Sequence, residues 1–320
     1  MNIDNRKPLV IIAGPTAVGK SAVSAALAAD IRGEVISADS VQVYRGLNIG
    51  SAKTSADEMN GIPHHLIDVI NPDVNYDVAM FQKMAEEELS SVYRSGHLPI
   101  LCGGTGFYIQ ALLYGIDFRE ENTEKSLLIR QELEKRAELP GGPEKLYAEL
   151  ISKDPDSVEK IHAHNVRRVI RALEYYELHG EPISRHNQEE RMRPPVYDAM
   201  FFVLTDERDA LYKRIDSRVD RMMENGLLDE VKWLHSLNLP PSLPAMQAIG
   251  YKELLLYLDG RITLLEAAAL IKKNSRNYAK RQLTWFRREK DAIWVDISKF
   301  NYEKENITKW ILTECMNHWV

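Results

Sequence analysis

Short apolar runs alternate with longer amphipathic stretches over the first third of the chain. The runs at 9–13, 34–38 and 98–102 have the length and apolar content of buried strands, and a helical pattern at 78–94 precedes the third. Such alternation is typical of an α/β fold built on a parallel sheet. Ligands of these sheets bind beyond the carboxyl ends of the strands, so the residues that follow each run are candidates for a binding site.

The pattern changes at about residue 116. From there to about 193 the chain is charged and helical, as at 120–138, with a Pro-Gly-Gly-Pro break at 140–143. A strand pattern returns at 196–204, and the run at 292–296 predicts a last strand. We therefore predict a core of residues 1–115 and 195–320, interrupted by an all-helical insertion of residues 116–194.

A glycine-rich loop follows the first strand and opens a segment of good helix formers. It fills every fixed position of G-x-x-x-x-G-K-[ST], with the residues Gly14, Pro15, Thr16, Ala17, Val18, Gly19, Lys20 and Ser21. Backbone N–H groups of such a loop close around phosphate oxygens, the lysine reaches a terminal phosphate and the serine can hold Mg²⁺. The motif predicts a P-loop NTPase-like sheet, flanked by helices, that binds a diphosphate or triphosphate. The simpler alternative is an ordinary glycine turn before a helix.

Composition narrows the class of protein. The two cysteines, Cys102 and Cys315, are too few for a disulfide framework or a cysteine-rich zinc site, and we expect a reducing cytoplasm. No apolar run has the length of a membrane span, and the first residues lack a signal-peptide pattern. The net charge is −6, yet eight Lys or Arg lie between Lys272 and Lys290 against one acid, Glu289. That segment can meet a polyanion although the whole chain is acidic.

Two polar groups follow the second and third strands. A small kinase usually carries an acid after the third strand, but here that strand leads into Gly103-Gly104-Thr105. The acid is Asp39, after the second strand, which makes it a candidate general base beside the phosphates. The alternative is a carboxylate that caps the following turn.

The basic segment near the end of the chain has two helical faces. One face carries Lys273, Asn277, Lys280, Thr284 and Arg287, and another carries Tyr278, Gln282 and Trp285. A basic face beside aromatic side chains suits phosphate contacts and base stacking. The alternative is an amphipathic helix whose aromatic side packs in the core and whose basic side only meets water.

Taken together, these motifs resemble the bacterial tRNA dimethylallyltransferases, in order over about residues 8–288. The similar segments are the phosphate loop, Asp39-Ser40-x-Gln42-x-Tyr44-Arg45, Pro63-His64-His65-Leu66-Ile67-Asp68, Gly103-Gly104-Thr105-Gly106-x-Tyr108, Asn165-x-x-Arg168-x-x-Arg171, Ile249-Gly250-Tyr251-Lys252-Glu253 and Tyr278-Ala279-Lys280-Arg281-Gln282-x-Thr284-Trp285-Phe286-Arg287.

The resemblance implies a reaction and a set of roles. Members transfer a dimethylallyl group from dimethylallyl diphosphate to N6 of adenine 37, beside the anticodon of tRNAs that read codons beginning with U. The phosphate loop would then hold the leaving pyrophosphate, with Mg²⁺ at Ser21 and with Lys20 and Arg218 neutralising its charge. Thr105 would donate a hydrogen bond to the bridging oxygen, and Asp39 would accept the proton of the amine.

The resemblance also implies contacts with RNA. The helical insertion would grip the anticodon stem-loop, and we expect a monomer. The implied tRNA-binding residues are Asp39, Ser40, Val41, Gln42, Asn165, Arg167, Arg168, Gly250, Tyr251, Lys280, Arg281, Gln282, Thr284, Trp285 and Arg287. Three alternatives remain: an adenylate isopentenyltransferase acting on AMP, a small-molecule P-loop kinase, and a non-enzymatic P-loop regulator or RNA-binding switch.

Overall fold

The computed structural model describes residues 6–118 and 124–319. Within them lies one six-stranded parallel sheet with the strand order β3-β2-β4-β1-β5-β6. The strands are β1 Pro8–Ala13, β2 Gly33–Ala38, β3 His64–His65, β4 Leu98–Gly103, β5 Asp198–Thr205 and β6 Ile293–Asp296. The predicted α/β fold with a parallel sheet is confirmed.

The sheet brings the carboxyl ends of three strands side by side. Residue pairs Ala38–Gly103 and Ala13–Gly103 lie opposite each other in the ladders that join β2 to β4 and β1 to β4. The phosphate loop, Asp39 and the glycine loop after β4 therefore leave the sheet at one edge, as predicted. The sequence did not predict β3, because two histidines carry neither an apolar run nor a period.

Helices surround the sheet and continue into the rest of the chain. They are α1 Lys20–Ile31, α2 Ala56–Met59, α3 Val78–Arg94, α4 Gly106–Tyr114, α5 Glu124–Glu138, α6 Gly142–Lys153, α7 Pro155–Val158, α8 Val166–His179, α9 Ile183–Arg191, α10 Arg208–Glu224, α11 Leu227–Ser236, α12 Pro244–Gln247, α13 Tyr251–Leu258, α14 Leu264–Phe286 and α15 Lys304–Trp319. The predicted helix at 78–94 matches α3. Of the predicted helix at 120–138, residues 120–123 lie outside the described ranges.

The central strands are apolar without alternation because both of their faces are buried. Leu9, Val10, Ile11 and Ile12 of β1 are all completely buried. A parallel strand covered by helices on both faces buries both of its sides, so a period of two is absent. On one face, Val10 and Ile12 join a cluster with residues of α1, α10 and α15.

Contacts divide the chain into two compact units, residues 1–113 with 195–320 and residues 114–194. The first unit holds the sheet. Its two chain segments meet where the Val196 amide donates to the Leu113 carbonyl oxygen at 2.8 Å. The chain therefore leaves the first unit and returns to it at neighbouring points.

The second unit has a core of its own. Leu133, Leu146, Leu150 and Leu173 pack together with valine and isoleucine from α8. A salt bridge of 2.7 Å joins Arg130 to the buried Glu174. In the part of this unit that the structure describes, all regular elements are helices.

A buried carboxylate ties two helices of the second unit together. The Asp154 side chain accepts hydrogen bonds from the Ser157 amide and hydroxyl and from the Ser184 amide. Burial alone would raise the pKa of Asp154, but these hydrogen bonds lower it below its usual value.

Candidate active site

The conformation of the phosphate loop requires a glycine at position 14. Gly14 has φ +145°, and a Cβ there would lie 2.5 Å from the Leu204 carbonyl oxygen of β5. Positive φ recurs at Ala17 and Gly19, which curl the chain into the N-terminus of α1. Thr16, Ala17, Gly19, Lys20 and Ser21 line a cleft there, whereas Gly14, Pro15 and Val18 are buried behind it. A ring of backbone amides at a helix start is suited to an anion.

Lys20 lies over this loop. Its Nζ donates to the Pro15 carbonyl oxygen at 2.7 Å. Burial lowers the pKa of Lys20 to about 8, and the Arg218 charge adds to this while Cys102 and Asp39 oppose it. Burial removes water from an ammonium group and disfavours its charged form, so a phosphate that binds beside it stabilises that form strongly.

Helix α10 supplies further cations. Arg218 Nη1 donates to the Thr16 hydroxyl oxygen at 3.1 Å, and burial lowers the pKa of this guanidinium while Asp39 raises it. Arg214 has a different environment: it pairs with the buried Asp206 carboxylate and donates from Nε to the Ala17 carbonyl oxygen at 3.2 Å. Arg214 therefore braces the phosphate loop, while Arg218 is placed to meet a ligand in the cleft.

Asp39 caps a turn and also lines the cleft, so the capping interpretation is confirmed and the role as a general base stays a prediction. Its Oδ1 accepts from the amides of Val41 at 2.8 Å and Gln42 at 3.2 Å, which caps the turn after β2. The same residue lines the cleft. No hydrogen bond to Oδ2 occurs within residues 6–118 and 124–319, so one carboxylate oxygen is available to a ligand.

The glycine loop after β4 forms the next wall. Gly103 and Gly104 line the cleft, and the Thr105 carbonyl oxygen accepts from the Tyr108 amide at the start of α4. The Thr105 hydroxyl is buried and, among the described residues, makes no well-formed hydrogen bond, although the Tyr278 hydroxyl lies near it. Burial, aided by the Asp39 charge, raises the pKa of Tyr278 to about 12, so this phenol stays protonated.

These walls enclose about 540 Å³. Sequence reasoning had not assigned a role in this site to several of the lining residues, namely Glu58, His64, Cys102, Lys213, Ser217, Arg221 and Tyr278. Part of that set has a readable signal, because Lys213, Ser217 and Arg221 recur every four residues along α10 and Tyr278 lies on the aromatic face of α14. His64 and Cys102 lie on strands and Glu58 lies on the single-turn helix α2, where the sequence shows no helical period.

Known proteins are similar in sequence to this chain over most of its length. The sequence profile of the family described as IPP transferase matches residues 42–289. A tRNA dimethylallyltransferase of Lachnoclostridium phytofermentans is 47% identical over 310 residues, which are 96% of this chain and 98% of that protein. This chain belongs to the IPP transferase family.

Two solved structures share the fold. The full-length tRNA isopentenylpyrophosphate transferase of Bacillus halodurans matches with a TM-score of 0.72 at 42% identity, over 98% of each chain. A eukaryotic dimethylallyltransferase acting on tRNA matches with a TM-score of 0.78 at 32% identity, over 91% of this chain and 74% of that chain.

The RNA-binding residues predicted from this family fall into three groups. Lys280, Arg281, Thr284 and Arg287 are exposed on or just after α14, and Lys273 and Asn277 extend the same exposed face. Asn165, Arg167 and Arg168 are exposed at the start of α8 in the second unit. The two-faced pattern predicted for α14 is confirmed, and the contacts of both sets with RNA stay predictions.

The remaining group has partners inside the protein. Ser40, Val41 and Gln42 are half-buried around Asp39, and Trp285 is half-buried beside the glycine loop. Gly250 and Tyr251 are buried, and the Tyr251 hydroxyl donates to Glu230 at 2.6 Å. Gln282 is also buried and bonded to the protein on both sides. Contact of these residues with tRNA stays a prediction, and the structure gives several of them an internal role.

A loop beside the cleft depends on that Glu230. Its carboxylate accepts from the amides of Asn48, Ile49 and Gly50 at 2.8, 2.8 and 2.9 Å. Burial, followed by the charge of Glu230, raises the pKa of Tyr251, which therefore serves as a hydrogen-bond donor. This arrangement holds Ser51 and Ala52 at the wall of the cleft.

Neither a membrane helix nor a protein-built metal cluster accompanies the cleft in the described part of the chain. None of the helices there is both long and apolar enough to cross a bilayer. The same residues contain no group of three or more His, Cys, Asp or Glu side chains arranged to hold a metal ion.

Proposed function

We propose that this chain transfers a dimethylallyl group from dimethylallyl diphosphate to N6 of adenine 37 in tRNAs that read codons beginning with U. The products are N6-isopentenyladenosine and pyrophosphate. The observation that carries the proposal is one cleft, in a chain of the IPP transferase family, lined by the phosphate loop, Asp39, Arg218 and the loop that leads to Thr105.

The donor's diphosphate would lie against the phosphate loop. Lys20 and Arg218 supply positive charge, and the amides of α1 supply hydrogen bonds. As the allylic C–O bond breaks, its electron pair passes to the pyrophosphate, whose charge these groups stabilise. The buried Thr105 hydroxyl, which lacks a well-formed partner among the described residues, is suited to donate to the bridging oxygen.

Mg²⁺ fits the donor set of this cleft. Magnesium usually binds through one or two protein oxygens and completes its shell with phosphate oxygens and water. The Ser21 hydroxyl and the Asp39 carboxylate both line the cleft beside Lys20. We propose Ser21 as the protein ligand, and the bound ion would neutralise phosphate charge.

The acceptor is an exocyclic amine whose lone pair is delocalised into the adenine ring. It must lose a proton as its nitrogen bonds to the allylic carbon. Asp39 would take that proton on the carboxylate oxygen that does not cap the turn. The fixed Oδ1 holds the carboxylate in place while Oδ2 reacts.

The target base must leave the stack of the anticodon loop to reach the cleft. The exposed basic face of α14 and the exposed arginines of α8 are suited to contact the RNA backbone. We propose that the second unit grips the anticodon stem-loop and that the enzyme acts as a monomer. Its tRNA substrate and its two buried free thiols are in keeping with a cytoplasmic enzyme.

One assay tests the reaction. The protein is incubated with Mg²⁺ and dimethylallyl diphosphate together with unmodified tRNA, then with AMP, and separately with ATP and small hydroxyl acceptors. Pyrophosphate release and prenylated adenosine are measured. Transfer to tRNA alone supports the proposal, transfer to AMP would make the chain an adenylate isopentenyltransferase, and consumption of ATP with a phosphorylated acceptor would make it a kinase.

A further inference from the structure

One glutamine joins the two loops that form the donor site. Gln282 lies on α14 and is only 5% exposed. Its Oε1 accepts from the Thr16 amide of the phosphate loop at 2.9 Å, and its Nε2 donates to the Gly104 carbonyl oxygen at 2.9 Å. These bonds span 266 and 178 positions of sequence. The pairing therefore depends entirely on the tertiary fold.

The glycine loop is shaped to accept this side chain. A Cβ at Gly104 would clash with Gln282 Nε2, and a Cβ at Gly106 would clash with the Trp285 ring. Only residues without side chains allow the loop to lie this close to α14. The Tyr278 hydroxyl also lies near Gln282, so three neighbouring groups surround the amide.

An amide with these partners is poorly placed to read RNA. A buried polar group that loses a protein partner pays the cost of desolvation unless the new ligand replaces that bond. Lys280, on the same helix, is instead exposed and can meet RNA without breaking such bonds.

We propose that Gln282 is a positioning residue for the donor and not a tRNA contact. It fixes the phosphate loop relative to the glycine loop, so that Lys20 and Thr105 act on the same diphosphate. The inference rests on the proposed function for the identity of the donor. It assigns Gln282 to the site of dimethylallyl diphosphate, whereas the family resemblance implies that this residue contacts tRNA.

The test compares two variants of α14. Gln282→Met keeps the length of the side chain and removes the amide, and Lys280→Met is the matched control at an exposed position of the same helix. For each we would measure the Kd of pyrophosphate with Mg²⁺ by calorimetry, the KM for dimethylallyl diphosphate, kcat, and the Kd of an unmodified anticodon stem-loop RNA.

We expect Gln282→Met to raise the pyrophosphate Kd and the donor KM by about tenfold or more, because displaced loops lose the geometry of the site. Its RNA Kd should stay within about twofold of the wild-type value, which is the scatter expected of a residue that does not touch the ligand. Lys280→Met should show the reverse pattern. The proposal is overturned if Gln282→Met weakens RNA binding while the pyrophosphate Kd and donor KM stay unchanged.

A second pair of variants keeps the test decisive if Gln282→Met folds poorly. Gly104→Ala places a methyl group against Nε2, so it should weaken pyrophosphate binding by itself. In a Gln282→Ala background that clash is absent, although the Gly14 carbonyl oxygen remains 3.3 Å from the new Cβ. The methyl group should then do less damage, and strict additivity of the two changes would contradict the pairing.

The two proposals can fail separately. Pyrophosphate binding is measured without RNA and without a prenyl donor. If wild-type protein transfers no dimethylallyl group to RNA but Gln282→Met still loses pyrophosphate affinity, the proposed reaction is wrong and the positioning role stands. A wild-type protein that binds neither pyrophosphate nor dimethylallyl diphosphate would overturn both.

Discussion

In two residues of the cleft, part of the polar group bonds to the protein and the rest of that group can contact a ligand. Asp39 uses Oδ1 to cap a turn, and Lys20 gives one hydrogen bond to the Pro15 carbonyl oxygen. Such anchoring reduces the freedom that a side chain would lose when a substrate binds. The chemistry of each side chain can be tested by a substitution that keeps its anchoring bond or its charge.

Asp39→Asn should keep the fold and lose the reaction. The amide oxygen of asparagine can still accept from the Val41 and Gln42 amides, so the turn persists, but the side chain no longer takes a proton. We expect single-turnover transfer to tRNA to slow by about 10²-fold or more. Unchanged thermal unfolding and an unchanged RNA Kd serve as controls, and transfer at the wild-type rate would exclude Asp39 as the base.

Pyrophosphate binding should weaken as the pH rises through about 8. The pKa of Lys20 is lowered from its ordinary value of 10.5 to about 8 in the free protein, so the ammonium is present below this pH and is lost above it. Binding an anion favours the charged form, so the affinity falls as that form disappears. Calorimetry from pH 7 to about 9.5 would measure the trend.

Lys20→Arg is the control for this effect. A guanidinium does not titrate in that range, whereas the protonation of pyrophosphate itself is common to both proteins. The wild-type protein should therefore lose more affinity than the variant over the same interval. Identical pH profiles would show that another group governs binding.

At the scale of elements, α10 and α14 divide their charges between packing and solvent. Lys272 pairs with Asp220 at 2.6 Å and Arg276 pairs with Asp216 at 2.5 Å, which joins the two helices. Lys280 is exposed and outside these pairs. The eight basic residues of this segment are therefore not equivalent, although they look alike in the sequence.

Lys280→Ala should lower the salt dependence of RNA binding more than Lys272→Ala does. Removing a lysine that neutralises one phosphate of single-stranded RNA reduces the slope of log K against log salt by about 0.7. Lys272 already has a carboxylate partner, so its removal should change the slope less and mainly loosen the packing of α10 on α14. Filter binding at several salt concentrations would measure both slopes, and equal slopes would contradict this division.

Arg218 and Arg214 of α10 both contact the phosphate loop, but their substitutions should have different effects. Arg218→Ala should raise the donor KM and lower kcat, together costing about 10²-fold in kcat/KM, because it removes charge stabilisation from the leaving group. Arg214→Ala leaves the buried Asp206 carboxylate without its partner, so its main effect should be a lower thermal unfolding midpoint. If Arg214→Ala folds stably and abolishes catalysis, the roles of the two arginines need to be exchanged.

At the scale of the molecule, the two units each have a hydrophobic core. The first unit contains every residue that lines the cleft, and its chain segments meet at Leu113 and Val196. A domain inserted at such neighbouring points can be removed without stretching the remaining chain.

Replacing residues 116–193 with a short Gly-Ser linker should therefore separate donor binding from RNA binding. We expect the remaining unit to fold and to bind pyrophosphate within about threefold of the full chain, since domains with their own cores fold independently. Transfer to tRNA should fall by about 10²-fold or more, because the proposed grip on the stem-loop is gone. Calorimetry and the transfer assay measure both, and normal tRNA modification by the shortened protein would refute the role assigned to the insertion.

Local sequence patterns are enough to predict the phosphate loop, five of the six strands and the position of Asp39, because each depends on spacing within a short segment. A strand needs an apolar run, and a phosphate loop needs its glycines at fixed intervals, so both can be read without knowing the neighbours. The two faces of α14 follow from helical periodicity in the same way.

Which of these residues meet in space depends on how distant segments of the chain pack together. Gln282 bonds to Thr16 and Gly104 across most of the chain, Arg214 pairs with Asp206, and the two-residue strand β3 exists because β2 offers it an edge. These partners are set by how the helices and strands pack, and the local pattern around each residue does not depend on a neighbour so distant in sequence.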